Sequence, residues 1–209
     1  MAKKVAPVPK GYRTVTPYLV VRGADAALAY YADVFGAEIL SRIYGDDGIT
    51  VLHAEMKIGN SIIIVSDEMP AFGVFSPLAY GGSAVAQHLY LPGVDETWAK
   101  AVEAGATVLV PLTDTFYGER FGKIVDPFGH VWSMSKRIEA VKPEDIKART
   151  QTEGFSVFEP EGDRIDPGSP VAEAAGAGET EAAYRDRLIS WQRKLVFVNW
   201  NKVIQNSLA

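Results

Sequence analysis

His53, Glu55 and His88 are the residues of this chain best equipped for chemistry, since two imidazoles and a carboxylate form a donor set that divalent transition metals accept. They also have a plainer use. His53 and His88 are two of only 3 histidines, and each can hydrogen-bond a neighbour on a half-buried strand, which is the preferred reading. On an apolar face Glu55 would have its pKa raised towards that of a general base. An ion pair with Lys57 or Arg120 is its competing and favoured role. Ser133 with His88 has the residue types of a nucleophile and its base, but no G-x-S-x-G elbow or third orienting residue accompanies them. Tyr18 and Tyr90 offer flat faces to a planar ligand. Arg120, in the segment Tyr117 to Gly122, is placed to clamp a ligand carboxylate or to pair with Glu119 or Asp126. Strand alternation assigns Trp132 and Phe121 to the core, and His130 to the side opposite Ser133 in a structural role.

These side chains need strands to hold them. Residues 14–21 (TVTPYLVV) are rich in β-branched and aromatic residues and predict a strand. Ala24 to Phe35 predicts a helix with Leu28, Tyr31 and Phe35 on one stripe, closed by Gly36. Strands then follow at Ile39 to Tyr44, Ile49 to Ile58 and Ser61 to Val65, separated by Gly45–Gly48 and Gly59-Asn60. The order repeats: a strand at Ala86 to Leu91 and a helix at Val94 to Ala104 ended by Gly105. Strands are then expected at Thr107 to Val110, Thr115 to Phe121, Lys123 to Val125 and Val131 to Ser135. The expected architecture is therefore α+β, with two tandem βαβββ modules at about residues 11–67 and 84–137. In the third strand a period of two sends Leu52, Ala54, Met56 and Ile58 to the helix. Val51, His53, Glu55 and Lys57 go to the opposite face. The same alternation sends Thr16, Tyr18, Ile63, Val65, Ala86, His88, Tyr90, Val131 and Ser133 to that opposite face.

Short motifs run in order along the chain: Thr16-Pro17-Tyr18-Leu19, Ala29-Tyr30-Tyr31 with Phe35-Gly36-Ala37, and Ile58-Gly59-Asn60-Ser61. Val94-Asp95, Ala104-Gly105-Ala106, Phe116 to Gly122 and Asp126-Pro127-Phe128-Gly129-His130-Val131-Trp132-Ser133 complete the set. On these motifs the chain, from about residue 11 to 150, resembles the PhnB-like branch of the vicinal oxygen chelate superfamily, which includes glyoxalase I, extradiol dioxygenases and bleomycin-resistance proteins. The resemblance implies a mostly antiparallel sheet curled into a cup that holds a small molecule, and a homodimer. In metal-dependent members the ligands sit early in the first strand of each module and near the end of the last. Those positions here are Thr16, Ile63, Ala86 and Ser133, and none is His, Glu or Gln. The resemblance thus implies the fold without its usual metal, and no other cofactor is expected.

With 209 residues, 47% hydrophobic content and a net charge of −5, the chain has enough apolar material for a proper core and no general attraction to nucleic acid or anionic membranes. Zero cysteines exclude disulfides and thiolate chemistry. No apolar run suits a membrane span or a signal peptide, so a cytoplasmic protein is expected. After the domain at 11–150, residues 151–183 read as a flexible linker rich in Pro, Gly, Ala and acid. Residues 184–209 read as an amphipathic helical tail in which Tyr184, Leu188, Trp191, Leu195 and Val198 form one apolar stripe. Three functions follow. The first is a metal-independent small-molecule-binding protein whose ligand meets Tyr18, His53, Glu55, His88, Tyr90, Arg120 and Ser133. The second is a metal-assisted lyase, isomerase or dioxygenase using a displaced site at His53, Glu55 and His88. The third is an interaction module acting through the tail helix.

Overall fold

A computed structural model describes residues 5–152, so the expected tail helix and the expected linker beyond Thr152 lie outside the described residues. The element order is β1 (Tyr18–Val21), α1 (Ala24–Phe35), β2 (Glu38–Tyr44), β3 (Val51–Ile58) and β4 (Ser61–Asp67), followed by two 3-10 turns (Pro70–Phe72 and Pro77–Tyr80). It continues with β5 (Ala86–Tyr90), α2 (Val94–Glu103), β6 (Thr107–Asp114), β7 (Glu119–Val125), β8 (Val131–Arg137) and α3 (Pro143–Thr152). Two four-stranded sheets result, in the orders β1-β4-β3-β2 and β5-β8-β7-β6. This is the α+β, tandem βαβββ architecture that the repeated element order predicts.

The chain divides into two compact units. One comprises the described part of Met1–Gln87 with Asp95–Thr107 and Val125–Trp132. In its sheet β1 runs parallel to β4, while β4–β3 and β3–β2 are antiparallel. The stripe on α1 works as the sequence predicts. Leu28, Tyr31 and Phe35 are buried, and Gly36 at φ 65° ends the helix, with the next amide (Ala37) donating to the Tyr31 carbonyl. Asp67 holds the other end of α1. One of its oxygens accepts from the Gly23 and Ala24 amides (2.9 and 2.7 Å), and the other accepts from the Val51 amide (2.8 Å).

Asp126 is the polar centre of that unit. It is almost fully buried and accepts the Tyr31 hydroxyl and the Trp132 indole N–H, each at 2.8 Å, together with the amides of Phe128 and His130 at 2.9 Å. Burial pushes its carboxyl pKa upward, and the Trp132 and Tyr31 donors oppose that. His130 is structural, as expected: its Nε2–H donates to the Val20 carbonyl at 3.0 Å. Trp132, 0% exposed, belongs to the core as predicted.

The other unit comprises His88–Val94, Val108–Ile124 and the described residues from Ser133 onward. Here the expected boundaries need correction. β6 runs on through Pro111 to Asp114, whereas a strand ending at Val110 was expected. β6 is an edge strand, where a missing N–H costs no ladder bond. The turn falls at Thr115–Gly118, with Gly118 at φ 86° donating to the Thr115 carbonyl, so β7 is one strand and not two. α3 lies where no element was expected, although Pro143 at its first position with Glu144 and Asp145 in the first turn is a helix-start signal. It is tied back by Arg149, which donates to Glu139 at 2.7 Å and to the Phe116 carbonyl at 3.3 Å.

Candidate functional site

On the first sheet the open face is set by hairpin register. The two-residue turn Gly59-Asn60 pairs Ile58 with Ser61, and hence Met56 with Ile63 and Glu55 with Ile64. Directly opposed residues share a face. Ile63 and Val65 therefore lie on the helix side with Met56 and Ala54, where they are 3% and 0% exposed, and not on the open face as expected. Ile62 and Ile64 take their place beside Lys57 and Glu55. A second correction concerns the start of β3, where Val51 is buried and Leu52 is 41% exposed, the reverse of strict alternation. The register shift between Ile43 and Tyr44, which pair with His53 and Val51, leaves Leu52 as an extra residue and switches the face.

His53 and Glu55 do share the open face. His53 Nε2 lies 3.3 Å from Glu55 Oε1, and the Tyr12 hydroxyl donates to the same carboxylate. The Tyr12 hydrogen bond is the main reason that the Glu55 pKa is lowered; the Tyr12 hydroxyl is pushed up to about 12 in return. Both sequence-derived roles for Glu55 are thereby corrected. It is not a raised-pKa base, because donors outweigh the small burial effect. Nor does it pair with Lys57 or Arg120; Lys57 is 3.8 Å from Glu38, and Arg120 donates to Asp114 at 2.9 Å. That last contact also replaces the expected pairing of Arg120 with Glu119 or Asp126, because β6 extends far enough to bring Asp114 alongside β7. Tyr18 is 53% exposed, and its hydroxyl donates to Ser66 Oγ at 3.1 Å.

The second sheet carries the more developed arrangement. His88 on β5 and Ser133 on the neighbouring β8 meet at 2.8 Å between Nδ1 and Oγ. Phe121 stacks on the His88 ring at 6.3 Å and 18°, and Tyr90 meets it edge-on at 4.6 Å. Phe121 therefore lies on the His88 side of the sheet, not in the core, because the true β7 starts at Glu119 and its odd-numbered residues face this way. The Tyr90 hydroxyl donates to Glu119 at 2.9 Å across the intervening β8. Burial lowers the His88 pKa, Glu119 opposes this, and the positive charge of Lys123 adds to it. The imidazole is consequently neutral at pH 7. Tyr12 and Lys123 were not singled out by sequence reasoning; Tyr12 has no strand pattern to place it, whereas Lys123 follows from alternation once β7 is drawn correctly.

The positions at which superfamily members bind metal do not fit one here. Ile63 and Ala86 have no donor atom, Thr16 Oγ1 donates to the Arg13 carbonyl at 3.1 Å, and the Ser133 hydroxyl is engaged by His88. Among the described residues, no group of three His, Asp or Glu side chains could hold a metal ion.

Comparison with known proteins agrees with this architecture. Residues 13–134 match the family described as Glyoxalase/Bleomycin resistance protein/Dioxygenase superfamily. The uncharacterized protein Mb0911c of Mycobacterium bovis is 34% identical over 143 residues, covering 67% of this chain and 93% of that protein. Protein YjdN of Escherichia coli is 26% identical over 141 residues, covering 58% of this chain and 93% of that protein. The crystal structure of PA1353 from Pseudomonas aeruginosa superposes with a TM-score of 0.50 at 23% identity, covering 60% of this chain and 98% of that one, a likeness of fold. With the family matched over more than half of the chain, the chain belongs to the glyoxalase/bleomycin-resistance/dioxygenase superfamily.

Proposed function

We propose that this chain is a small-molecule-binding protein of the glyoxalase/bleomycin-resistance type that works without the usual metal, in the PhnB-like branch, as a cytoplasmic protein whose binding domain spans residues 11–150. The observation that carries this reading is His88 itself, held 2.8 Å from Ser133 Oγ and flanked by the rings of Phe121 and Tyr90. Tyr90 is 64% exposed, so aromatic surface is available to stack on a planar molecule beside a fixed polar ring. On the first sheet Glu55 is engaged by the Tyr12 hydroxyl and lies 3.3 Å from His53 Nε2, so its carboxylate already has partners within the protein. The tail-helix role concerns residues outside the described part of the chain.

The test uses a neutral planar probe, 2-naphthamide, titrated by calorimetry into the full chain with and without a strong chelator. Binding should survive the chelator and weaken about tenfold in Phe121→Ala or His88→Ala, equivalent to about 1.4 kcal/mol. Binding that requires stoichiometric metal, or that ignores both second-sheet substitutions, would overturn the proposal.

A further inference from the structure

The second sheet holds a charge that the binding face does not neutralise. Lys123 lies in the middle of β7, two residues from Phe121 and four from Glu119, and the period of two puts all three on one side. Phe121 stacks on His88, which identifies that side as the one carrying His88, Tyr90 and Ser133. The carboxylates near β7 are committed elsewhere, Glu119 to the Tyr90 hydroxyl at 2.9 Å and Asp114 to Arg120 at 2.9 Å. Among the described residues nothing forms an ion pair or hydrogen bond with the Lys123 ammonium. The side chain is nevertheless half-buried, and burial is the single cause that lowers its pKa. On β8, Ser135 lies on the same side as Ser133, and its fully buried hydroxyl also has no partner.

An unpaired cation on a partly desolvated face is unfavourable unless something compensates it. Surface lysines normally avoid that cost by snorkelling into water. A residue kept in this position beside a neutral imidazole and two aromatic rings suits a ligand that brings the missing negative charge.

We infer, building on the binding role proposed above, that the ligand of this face is an organic anion. Its carboxylate, phosphonate or sulfonate meets Lys123, and its planar or apolar part lies against Phe121 and Tyr90. In the tautomer whose Nδ1 accepts from the Ser133 hydroxyl, the His88 Nε2–H is a second, neutral donor to the same anionic group. Lys123 is the counter-ion and takes no part in bond making, so the role requires charge and position only.

The experiment compares 2-naphthoate with its neutral analogue 2-naphthamide on the full chain, by calorimetry at pH 7. The unmodified protein should bind naphthoate at least about tenfold more tightly than the amide. Lys123→Met should bring the two probes within about twofold of each other by weakening naphthoate far more than the amide. Lys123→Arg should keep most of the preference. Methionine matches the stem of lysine and removes an uncompensated charge, so the variant should fold, and an unchanged thermal midpoint confirms that it has. Equal binding of the two probes by the unmodified protein, or a naphthoate preference that persists in Lys123→Met, would overturn the anion while leaving the binding role intact. Binding of neither probe would overturn the binding role, and the anion with it.

Discussion

His88 shows how one residue takes its character from three neighbours. Burial disfavours the imidazolium, Lys123 disfavours it further, and Glu119 alone favours it. The sign of the consequence is fixed. The folded pKa lies below the unfolded value of 6.5, so unfolded chains take up the proton first. The stability contributed by this residue is complete above about pH 6.5 and is lost as pH falls through the lowered folded pKa. A proton-NMR titration should therefore find the His88 midpoint below 6.5. Glu119→Gln should move it lower still, and Lys123→Met should move it back upward. A midpoint at or above 6.5 would mean that His88 is solvated and would remove the neutral-donor role. Alternation of β5 and β8 sends His88 and Ser133 to one face, and their 2.8 Å contact is what the structure adds. Phe121 and Lys123 could not be placed that way, since their facing depends on where β7 begins, and a strand that contains a central glycine (Gly122) resembles two short ones. Ile63 is a different kind of miss. The turn Gly59-Asn60 dictates that Glu55 opposes Ile64, so the necessary signal was in the sequence and counting across the hairpin would have found it.

At the scale of elements, the Asp-Pro-x-Gly turn matters more for what its aspartate receives than for the bend itself. Asp126 links α1, through Tyr31, to β8, through Trp132, while also bonding its own turn amides. Replacing it with alanine would orphan a buried hydroxyl and a buried indole N–H at about 1–3 kcal/mol each. Asp126→Ala should accordingly lose about 3–5 kcal/mol in chemical denaturation, while Tyr31→Phe, which removes one donor and strands nothing apolar, should lose about 1 kcal/mol. A loss for Asp126→Ala no larger than for Tyr31→Phe would show that water replaces the carboxylate and that the centre is not a shared anchor. The turn was legible as a local motif, but its partner was not. Tyr31 stands 95 residues away, and only the packing of α1 brings the two together. The two glycine-closed helices were the most legible elements because a φ > 0 requirement acts within a single turn. β6 was among the least legible, because Pro111 breaks a central strand but is tolerated on an edge, and edge status is a property of the sheet.

For the whole molecule, family membership settles the architecture and leaves the chemistry to the site, since this fold carries several unrelated activities. The resemblance also implies that two copies assemble, and we propose a homodimer on that fold-level ground. The charge balance makes the proposal sharper. Each copy carries a net charge of −5, so two copies approaching one another repel at long range. Any association must be held by apolar burial and short-range hydrogen bonds and opposed by the overall field. Salt shortens that repulsion, with a Debye length of about 30 Å at 0.01 M falling to about 10 Å at 0.1 M. Sedimentation should thus report about twice the 22.7 kDa chain mass at micromolar concentration, with self-association strengthened on going from 0.01 to 0.1 M salt. A dimer that weakened with added salt would point to pairing between opposite charges at the contact, against the net field. A mass near 22.7 kDa throughout would show that this chain has the fold of its superfamily without the assembly.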